Sequence, residues 1–308
     1  MLEKMSTQFL QTCKTTGILS NMKIFVATIL LLCSIVQGQQ TPLRLEFGVY
    51  PSDRAAVMYR KFSPVLDAIR VPLENILQRE VDIHMTIFQD YDSGIKALAN
   101  SDVDFVRFGP SSFILAEQLN PEVQLLAMEL RKGLKRFNGV IIARKDSGIK
   151  TVKNLHGRSF AFGDPNSTIG TFLAQAMLVE HGIQQAELAS HEYLGRHDKV
   201  AKAIITGTHD AGALKSSTYK TLCNPKDIII VKAFSNVTNP WVARSELSKE
   251  ICAAITASLL ALESEEALRE LGCSGFAEAS PDEYNLVRVG MEKAISFYPI
   301  PEEEEPED

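Results

Sequence analysis

Short apolar runs recur along the first third of the chain and are separated by segments with helical spacing. Residues 43–50, 81–88 and 103–108 have the pattern of strands. A helix is predicted from Ser63 to about residue 79, because Ser-Pro is a typical helix start, and another over residues 92–100. Strands that alternate with helices predict a parallel sheet covered by helices.

The same alternation begins again at Val140. Further strands are predicted at residues 140–143, 157–162, 210–214 and 228–231. Further helices are predicted at residues 171–181, 198–206 and 248–271. Because 308 residues, 45% of them hydrophobic, are enough for two globular domains, the repeated pattern predicts two α/β units.

One turn between a predicted strand and a predicted helix has candidate binding chemistry. It is Gly163-Asp164-Pro165-Asn166-Ser167-Thr168, called the cradle loop below. The first N–H groups of a helix have no intrahelical partner and lie at the positive end of the helix dipole, so this position suits a phosphate-like oxyanion. The alternative is that Ser167 or Thr168 only caps the helix. Gly109-Pro110-Ser111-Ser112 forms a second such turn, with the same two interpretations.

The amino terminus has the pattern of a secretory signal. Met22 and a lysine precede an apolar run over residues 24–36, and small residues stand at the two positions that a signal peptidase reads, the second being Gly38. The run is too short to remain as a membrane anchor. We therefore predict a leader and signal peptide over residues 1–38 and an exported mature protein, with Met1 and Met22 both open as the start.

The charge distribution points away from nucleic acid. The net charge is −6, and six acidic residues lie between Glu302 and Asp308. We predict that residues 301–308 form an acidic, disordered tail. The remaining chain has no marked excess of basic residues, so we predict no nucleic-acid partner. Its cysteines and histidines lack metal-ligand spacing, and we predict neither a metal nor a cofactor.

The sequence Asp-Pro-Asn-Ser-Thr at residues 164–168 resembles the signature of the phosphonate-binding proteins of ABC importers, a family of periplasmic substrate-binding proteins. Segments at residues 109–113, 140–151, 196–198 and 210–213 also resemble that family and occur in its order. The resemblance implies an α/β, type II periplasmic-binding-protein-like fold. It would have two lobes, each with a parallel or mixed sheet and flanking helices, and a hinge cleft between them.

The resemblance also implies where the lobes divide. Residues 39–136 and 241–300 would form the first lobe, and residues 137–240 the second. The chain would cross between the lobes near residues 135–138 and 236–241. Small ligands typically bind in such a cleft, and closure around them is a common hinge motion.

Ten ligand-binding positions are implied by the resemblance. They are Tyr91, Ser111, Ser112, Phe137, Ser167, Thr168, Ile169, His197, Ser217 and Asn239. The hydroxyls of Ser167 and Thr168 and the ring of His197 would hold the oxygens of the ligand, and a charge on the imidazole would strengthen its contact near neutral pH. Taken alone, a histidine at a helix start is more often structural, and the serines of the second turn could serve only as caps.

Departures from the family pattern bear on the choice of ligand. Members that take aminophosphonates hold the ammonium with two carboxylates, and those positions fall here on Ser217 and Asn239. Ile169 and Phe137 each lack a hydroxyl that relatives often have. Because an ammonium buried without a counter-charge is strongly disfavoured, we expect phosphite, phosphate or a small alkylphosphonate. Lys215 could add positive charge, although a solvated lysine is the commoner case.

The resemblance therefore predicts a periplasmic, monomeric solute-binding protein that captures a phosphorus oxyanion and delivers it to an ABC permease in the inner membrane. One alternative is a ligand-sensing periplasmic subunit of a signalling system, which would use the same binding chemistry. A secreted hydrolase of phosphoesters is less favoured, because no Gly-x-Ser-x-Gly elbow surrounds Ser167. We predict no catalytic residues.

Overall fold

Two β-sheets, each covered by helices, organise residues 41–298, the part of the chain that the computed structural model describes. The predicted signal peptide and acidic tail lie outside these residues. The strands are β1 Leu43–Val49, β2 Val81–Ile87, β3 Phe105–Arg107, β4 Gln124–Glu129, β5 Arg136–Arg144, β6 Ser159–Phe162, β7 Ser190–Tyr193, β8 Ala211–Lys215, β9 Ile228–Val237, β10 Pro240–Ala243 and β11 Phe276–Ala277. The α-helices are α1 Ala55–Leu77, α2 Tyr91–Ala99, α3 Pro110–Leu119, α4 Leu173–Val179, α5 His197–Thr206, α6 Ser216–Leu222, α7 Lys249–Leu260, α8 Glu265–Leu271 and α9 Asn285–Ile295.

The first sheet has the strand order β11-β4-β10-β3-β1-β2. Strand β1 is parallel to both β2 and β3, whereas β10 pairs antiparallel with β3 and β4. Apolar clusters lie on both faces of the sheet, one around Phe47 and Trp241 and the other around Phe108 and Tyr284. Burial on both faces explains why the central strands read as apolar runs.

The second sheet has the strand order β7-β6-β8-β5-β9. Strand β6 is parallel to β7 and β8, and β5 is antiparallel to β8 and β9. Its larger cluster includes Ile141, Phe160 and Phe162, and a smaller cluster covers the other face. Two mixed sheets with flanking helices confirm the predicted α/β class.

The chain passes from the first sheet to the second between β4 and β5 and returns between β9 and β10. These two connections lie side by side, because Thr238 N donates to Lys135 O at 3.1 Å. A third link between the two sheets is made by helix α9 and the residues just after it. Val287 packs with the first-sheet cluster around Tyr284, and Phe297 packs with the second-sheet cluster around Phe162. The connections lie near the predicted crossing points.

Helix α1 differs from its prediction. It begins at Ala55 rather than at Ser63, and Pro64 and Pro72 both lie inside it. Each proline removes a helical hydrogen bond, but one face of the helix buries large apolar side chains, each worth roughly 1.5–3 kcal/mol, so burial outweighs the local penalty. These buried side chains are Met58, Phe62, Val65, Leu66, Ile69 and Leu73.

The single helix predicted over residues 248–271 is wrong, because this segment forms α7 and α8. Ser264 begins the second helix, with its side chain accepting a hydrogen bond from Ala267 N at 3.3 Å. Strands β4, β7, β10 and β11 were not predicted from the sequence. No helix within residues 41–298 is both long and apolar enough to cross a membrane.

Candidate functional site

The carboxyl ends of parallel strands from the two sheets border one small cavity. Strands β1 and β3 lead into it from the first sheet, and β6 and β8 lead into it from the second. The first wall of the cavity consists of Tyr50, Ser52, Tyr91, Arg107, Gly109, Pro110 and Asn239. The second wall consists of Phe137, Ser167, Thr168, Ile169, His197, Lys215 and Asn236. Ligand sites of open α/β sheets typically lie at this end of the strands.

The cradle loop is held in shape by its own backbone and by Ser167. Ser167 Oγ accepts a hydrogen bond from Gly170 N at 3.0 Å, and Gly163 N donates to Gly170 O at 2.9 Å. A Cβ on Gly170 would lie 2.8 Å from Gly163 Cα, so the close approach requires glycine. A π-helical turn, Thr168–Phe172, then leads into α4. Ser167 therefore serves as a helix cap as well as lining the cavity.

Thr168 has a different role from Ser167, because its hydroxyl faces the first wall. Thr168 Oγ1 accepts a hydrogen bond from Ser111 N at 2.9 Å and lies 2.8 Å from Ser111 Oγ. Ser111 Oγ also donates to Asn166 O at 2.7 Å. The two walls are thus joined directly at the start of α3 and at the cradle loop.

The serines of the second turn support the first wall and do not line the cavity. Both are fully buried inside the first turn of α3, whose N-cap is Gly109. Ser112 Oγ is 2.9 Å from Tyr50 OH, which in turn accepts a hydrogen bond from Gly109 N. Neither Ser111 nor Ser112 is the helix cap that the sequence left open.

Aromatic rings form one side of the cavity. The rings of Tyr50 and Tyr91 are stacked, with centroids 3.7 Å apart. Burial raises the pKa of Tyr50 to about 12 and raises the pKa of Tyr91 as well, so both hydroxyls stay protonated as donors near neutral pH. Phe137 lines the opposite wall from strand β5, where it pairs with Asn236 of β9.

His197 is the first residue of α5 and is only 4% exposed. Burial, and then the charges of Lys215 and Lys61, lower its pKa well below the usual value. The lowered pKa favours a neutral imidazole, because the ring is desolvated among cations. A neutral ring still has one N–H that it can donate to an oxyanion. His197 Nδ1 is buried and has no hydrogen-bond partner among the described residues, which leaves a polar atom for a ligand.

The two positions that replace the carboxylates of aminophosphonate binders lie in different environments. Asn239 lines the first wall, and its Nδ2 donates to Phe108 O at 2.9 Å. Ser217 is exposed near the start of α6 and is not a cavity residue. No carboxylate is present among the described residues that line the cavity.

A family profile described as the periplasmic substrate-binding protein of ABC phosphonate transporters matches residues 47–284. The chain belongs to this family. The membership confirms the resemblance seen in the sequence and the assignment to binding proteins of ABC importers.

Individual relatives agree with the family. The chain is similar to a probable ABC transporter phosphite binding protein, PhnD1, of Prochlorococcus marinus strain MIT 9301: 25% identity over 255 residues, 78% of this chain and 83% of the relative. It is also similar to the phosphate-import protein PhnD of Mycolicibacterium smegmatis, with 26% identity over 216 residues, 66% of this chain and 67% of the relative. The fold is similar to the solved structure of the Prochlorococcus PhnD1 in complex with methylphosphonate, with a TM-score of 0.71, 21% identity and coverage of 82% and 98% of the two chains.

Several cavity residues were not predicted from the sequence. Arg107, the last residue of β3, was not considered at all. Lys215, the last residue of β8, was named as a possible source of positive charge but was not among the ten proposed positions. Tyr50, Ser52 and Asn236 were also missed. The sequence could have identified these two cations, because a charged residue at the carboxyl end of an apolar parallel strand lies at the ligand-binding edge of such sheets.

Arg107 is neutralised within the protein. Its Nε and Nη2 donate to Glu129 at 2.7 and 3.1 Å, and Arg131 Nη2 donates to Glu129 at 2.7 Å. Glu129 is fully buried, and the two arginines keep its pKa below the usual value although burial alone would raise it. The first wall thus contains a buried carboxylate that two arginines share, and one of these, Arg107, lines the cavity.

Proposed function

We propose that this protein captures a compact phosphorus oxyanion, namely phosphite, phosphate or a small alkylphosphonate, between two lobes of the predicted extents. The observation that carries the proposal is the set of groups at the cavity. Hydroxyl and imidazole groups from both walls converge there beside a lysine, and no carboxylate is among the described lining residues. Such a set favours an anion, because donors and positive charge meet its oxygens while no fixed negative charge repels it.

The size of the cavity supports a compact ligand. The cavity has a volume of about 30 Å³, two to three times the roughly 10–15 Å³ that is needed to hold one water. A tetrahedral anion with at most a small substituent suits this space better than a long-chain phosphonate. The ligands in the names of the relatives, phosphite and phosphate, and the methylphosphonate of the solved complex are of this size.

The same residues oppose an aminophosphonate. The ammonium of such a ligand would enter a cavity whose described lining residues, Asn239 among them, include no carboxylate. An unpaired charge in a desolvated site is strongly disfavoured. We therefore expect methylphosphonate to bind more tightly than 2-aminoethylphosphonate.

Isothermal titration calorimetry on the chain from Gln39 onward tests the function. The panel is phosphite, methylphosphonate, phosphate, sulfate and 2-aminoethylphosphonate. Tight binding of one of the first three with weak binding of the aminophosphonate supports the proposal. Preference for 2-aminoethylphosphonate contradicts the ligand class, and no binding across the panel contradicts the function.

Family membership and the sequence support a cellular context for this protein. We infer that the protein is exported to the periplasm with cleavage near Gly38, acts as a monomer and delivers its ligand to an ABC permease. Amino-terminal sequencing of protein from the periplasmic fraction should begin at Gln39. Light scattering of the same material should give the mass of one chain, and uptake of the bound oxyanion should be lost when the gene is deleted.

A further inference from the structure

Lys215 brings positive charge into the cavity from the second wall. Its Nζ donates across the cavity to Ser52 Oγ of the first wall at 3.4 Å. A hydrogen bond of this length is weak. The ammonium therefore lies between the two walls, and an oxygen of a bound anion can readily replace its contact with Ser52.

Lys215 differs from the neighbouring cations because no carboxylate of the described residues forms an ion pair with it. Arg107 is paired with Glu129, and Lys61 is paired with Asp53 at 3.0 Å. A cation in a protein interior normally has a counter-ion. The uncompensated charge at Lys215 is a reason to expect an anion at this point.

The groups around Lys215 increase the need for an anion. They are Lys61 of α1, Asp53 before it, Arg107 of β3, Glu129 of β4, Arg131 after β4, and His197 of α5. The residue Lys215 keeps some solvent exposure, but its ammonium is buried. This burial, and then the charges of Lys61 and Arg107, lower its pKa to about 7, whereas Asp53 acts to raise it. Positive charges outnumber negative ones here, so an anion relieves the repulsion and a second ammonium increases it.

We propose that Lys215 binds an oxygen of the ligand directly and selects the ligand by charge, favouring a dianionic phosphorus oxyanion over a zwitterion that carries an ammonium. This inference rests on the proposed function of the cleft and adds the residue that supplies a charge contact. Closing the walls without an anion leaves the ammonium desolvated and uncompensated. Closing them around an anion gives a charge-assisted hydrogen bond.

Substitutions at Lys215 separate this role from a structural one. Calorimetric titration with methylphosphonate and with phosphate at pH 7 compares wild type, Lys215→Arg, Lys215→Gln and Lys215→Met, with Lys220→Met on the exposed side of α6 as the matched control. Loss of a hydrogen bond to a charged group predicts affinity about 10- to 100-fold weaker for the Gln and Met variants. The Arg variant should retain more affinity than Gln, and the control should stay within about twofold of wild type.

A second readout is proton uptake. At pH 8 an ammonium with a pKa near 7 is mostly neutral before binding, and an adjacent anion raises that pKa, so wild type should take up close to one more proton per ligand than Lys215→Gln. Titration in two buffers with different ionisation enthalpies measures this difference. The comparison uses the same ligand at the same pH for both proteins.

Each outcome decides the proposal. Unchanged affinity in Lys215→Gln would overturn the proposal, because Lys215 would then act only as a tether to Ser52. Equal proton uptake together with a large loss of affinity in this variant would still support the contact, made by a lysine that is already charged before binding. Preference for 2-aminoethylphosphonate in wild type overturns the charge selection. If wild type binds no phosphorus oxyanion, the proposed function fails too, whereas a failure confined to the Lys215 variants leaves that function standing. Thermal unfolding of each variant checks that it is folded, and the Gln and Met substitutions provide independent tests.

Discussion

The two walls of the cavity differ in whether their buried charged and polar groups have partners. In the first wall the charge of Arg107 is satisfied by buried Glu129. In the second wall His197 Nδ1 and Asn236 Oδ1 are buried without partners among the described residues, and Lys215 lacks a carboxylate. The first wall therefore acts as a support whose buried charge is paired, whereas the second wall presents its unpaired groups to a ligand. Changes to the first should then chiefly alter stability, and changes to the second should chiefly alter binding.

The largest expected effect is on the ion pair of the first wall. Glu129→Gln leaves the buried guanidinium of Arg107 without its counter-charge, and breaking a buried pair in this way costs about 3–5 kcal/mol. Urea unfolding should show that loss in the free energy of unfolding. Glu122→Gln, at an exposed position before β4, is the control and should change stability by less than about 0.5 kcal/mol. Equal stability of the two variants would remove the distinction between the walls.

The next effect concerns binding at the second wall. His197→Phe keeps a buried ring but removes its nitrogen atoms, and the loss of one hydrogen bond to an anion should weaken oxyanion affinity by about 1.5–3 kcal/mol. Stability should be maintained or rise, because a buried polar atom without a partner is removed. Calorimetric titration and thermal unfolding measure the two quantities. His156→Phe, at an exposed position, should leave affinity unchanged.

A glycine substitution in or just after the cradle loop should affect both the stability of the protein and its affinity for the oxyanion. Gly170→Ala places a Cβ 2.8 Å from Gly163 Cα, so the loop must shift, at a cost of about 1–3 kcal/mol. We expect weaker oxyanion binding and a lower melting temperature. Gly163→Ala, whose Cβ lies 3.1 Å from Gly170 Cα, should have the smaller effect. The reverse order would contradict the geometry of the loop.

The smallest expected effect is a pH dependence due to His197. Burial lowers its pKa in the native state, so below about pH 6.5 the unfolded chain takes up a proton on this residue before the native protein does. The stability that the neutral ring allows is therefore lost as the pH falls, by at most about 1.4 kcal/mol per pH unit from this group. Urea unfolding between pH 7 and pH 5 should show a steeper loss for wild type than for His197→Phe. Parallel curves would mean that His197 titrates normally.

Local patterns account for much of the fold that was predicted. The cradle loop was found because a strand, a glycine, hydroxyl residues and a helix follow one another within a short segment, and each has a local conformational preference. The start of α1 was misplaced for the opposite reason, since Ser63-Pro64 is a good local start signal but burial of the helix against the first sheet overrides it. The break before Ser264 was missed because helical spacing continues across it.

The sequence alone determined the family, the α/β class and seven of the ten proposed positions that line the cavity, because these depend on residue order and on short motifs. Which groups at the cavity have partners depends on contacts between segments that are far apart in the chain. Arg107 meets Glu129 from another strand, and Lys215 reaches Ser52 from the other sheet, 163 residues away. The physical reason is that the desolvation of a charge and its distance to a counter-charge depend on packing between distant segments, which no local pattern records.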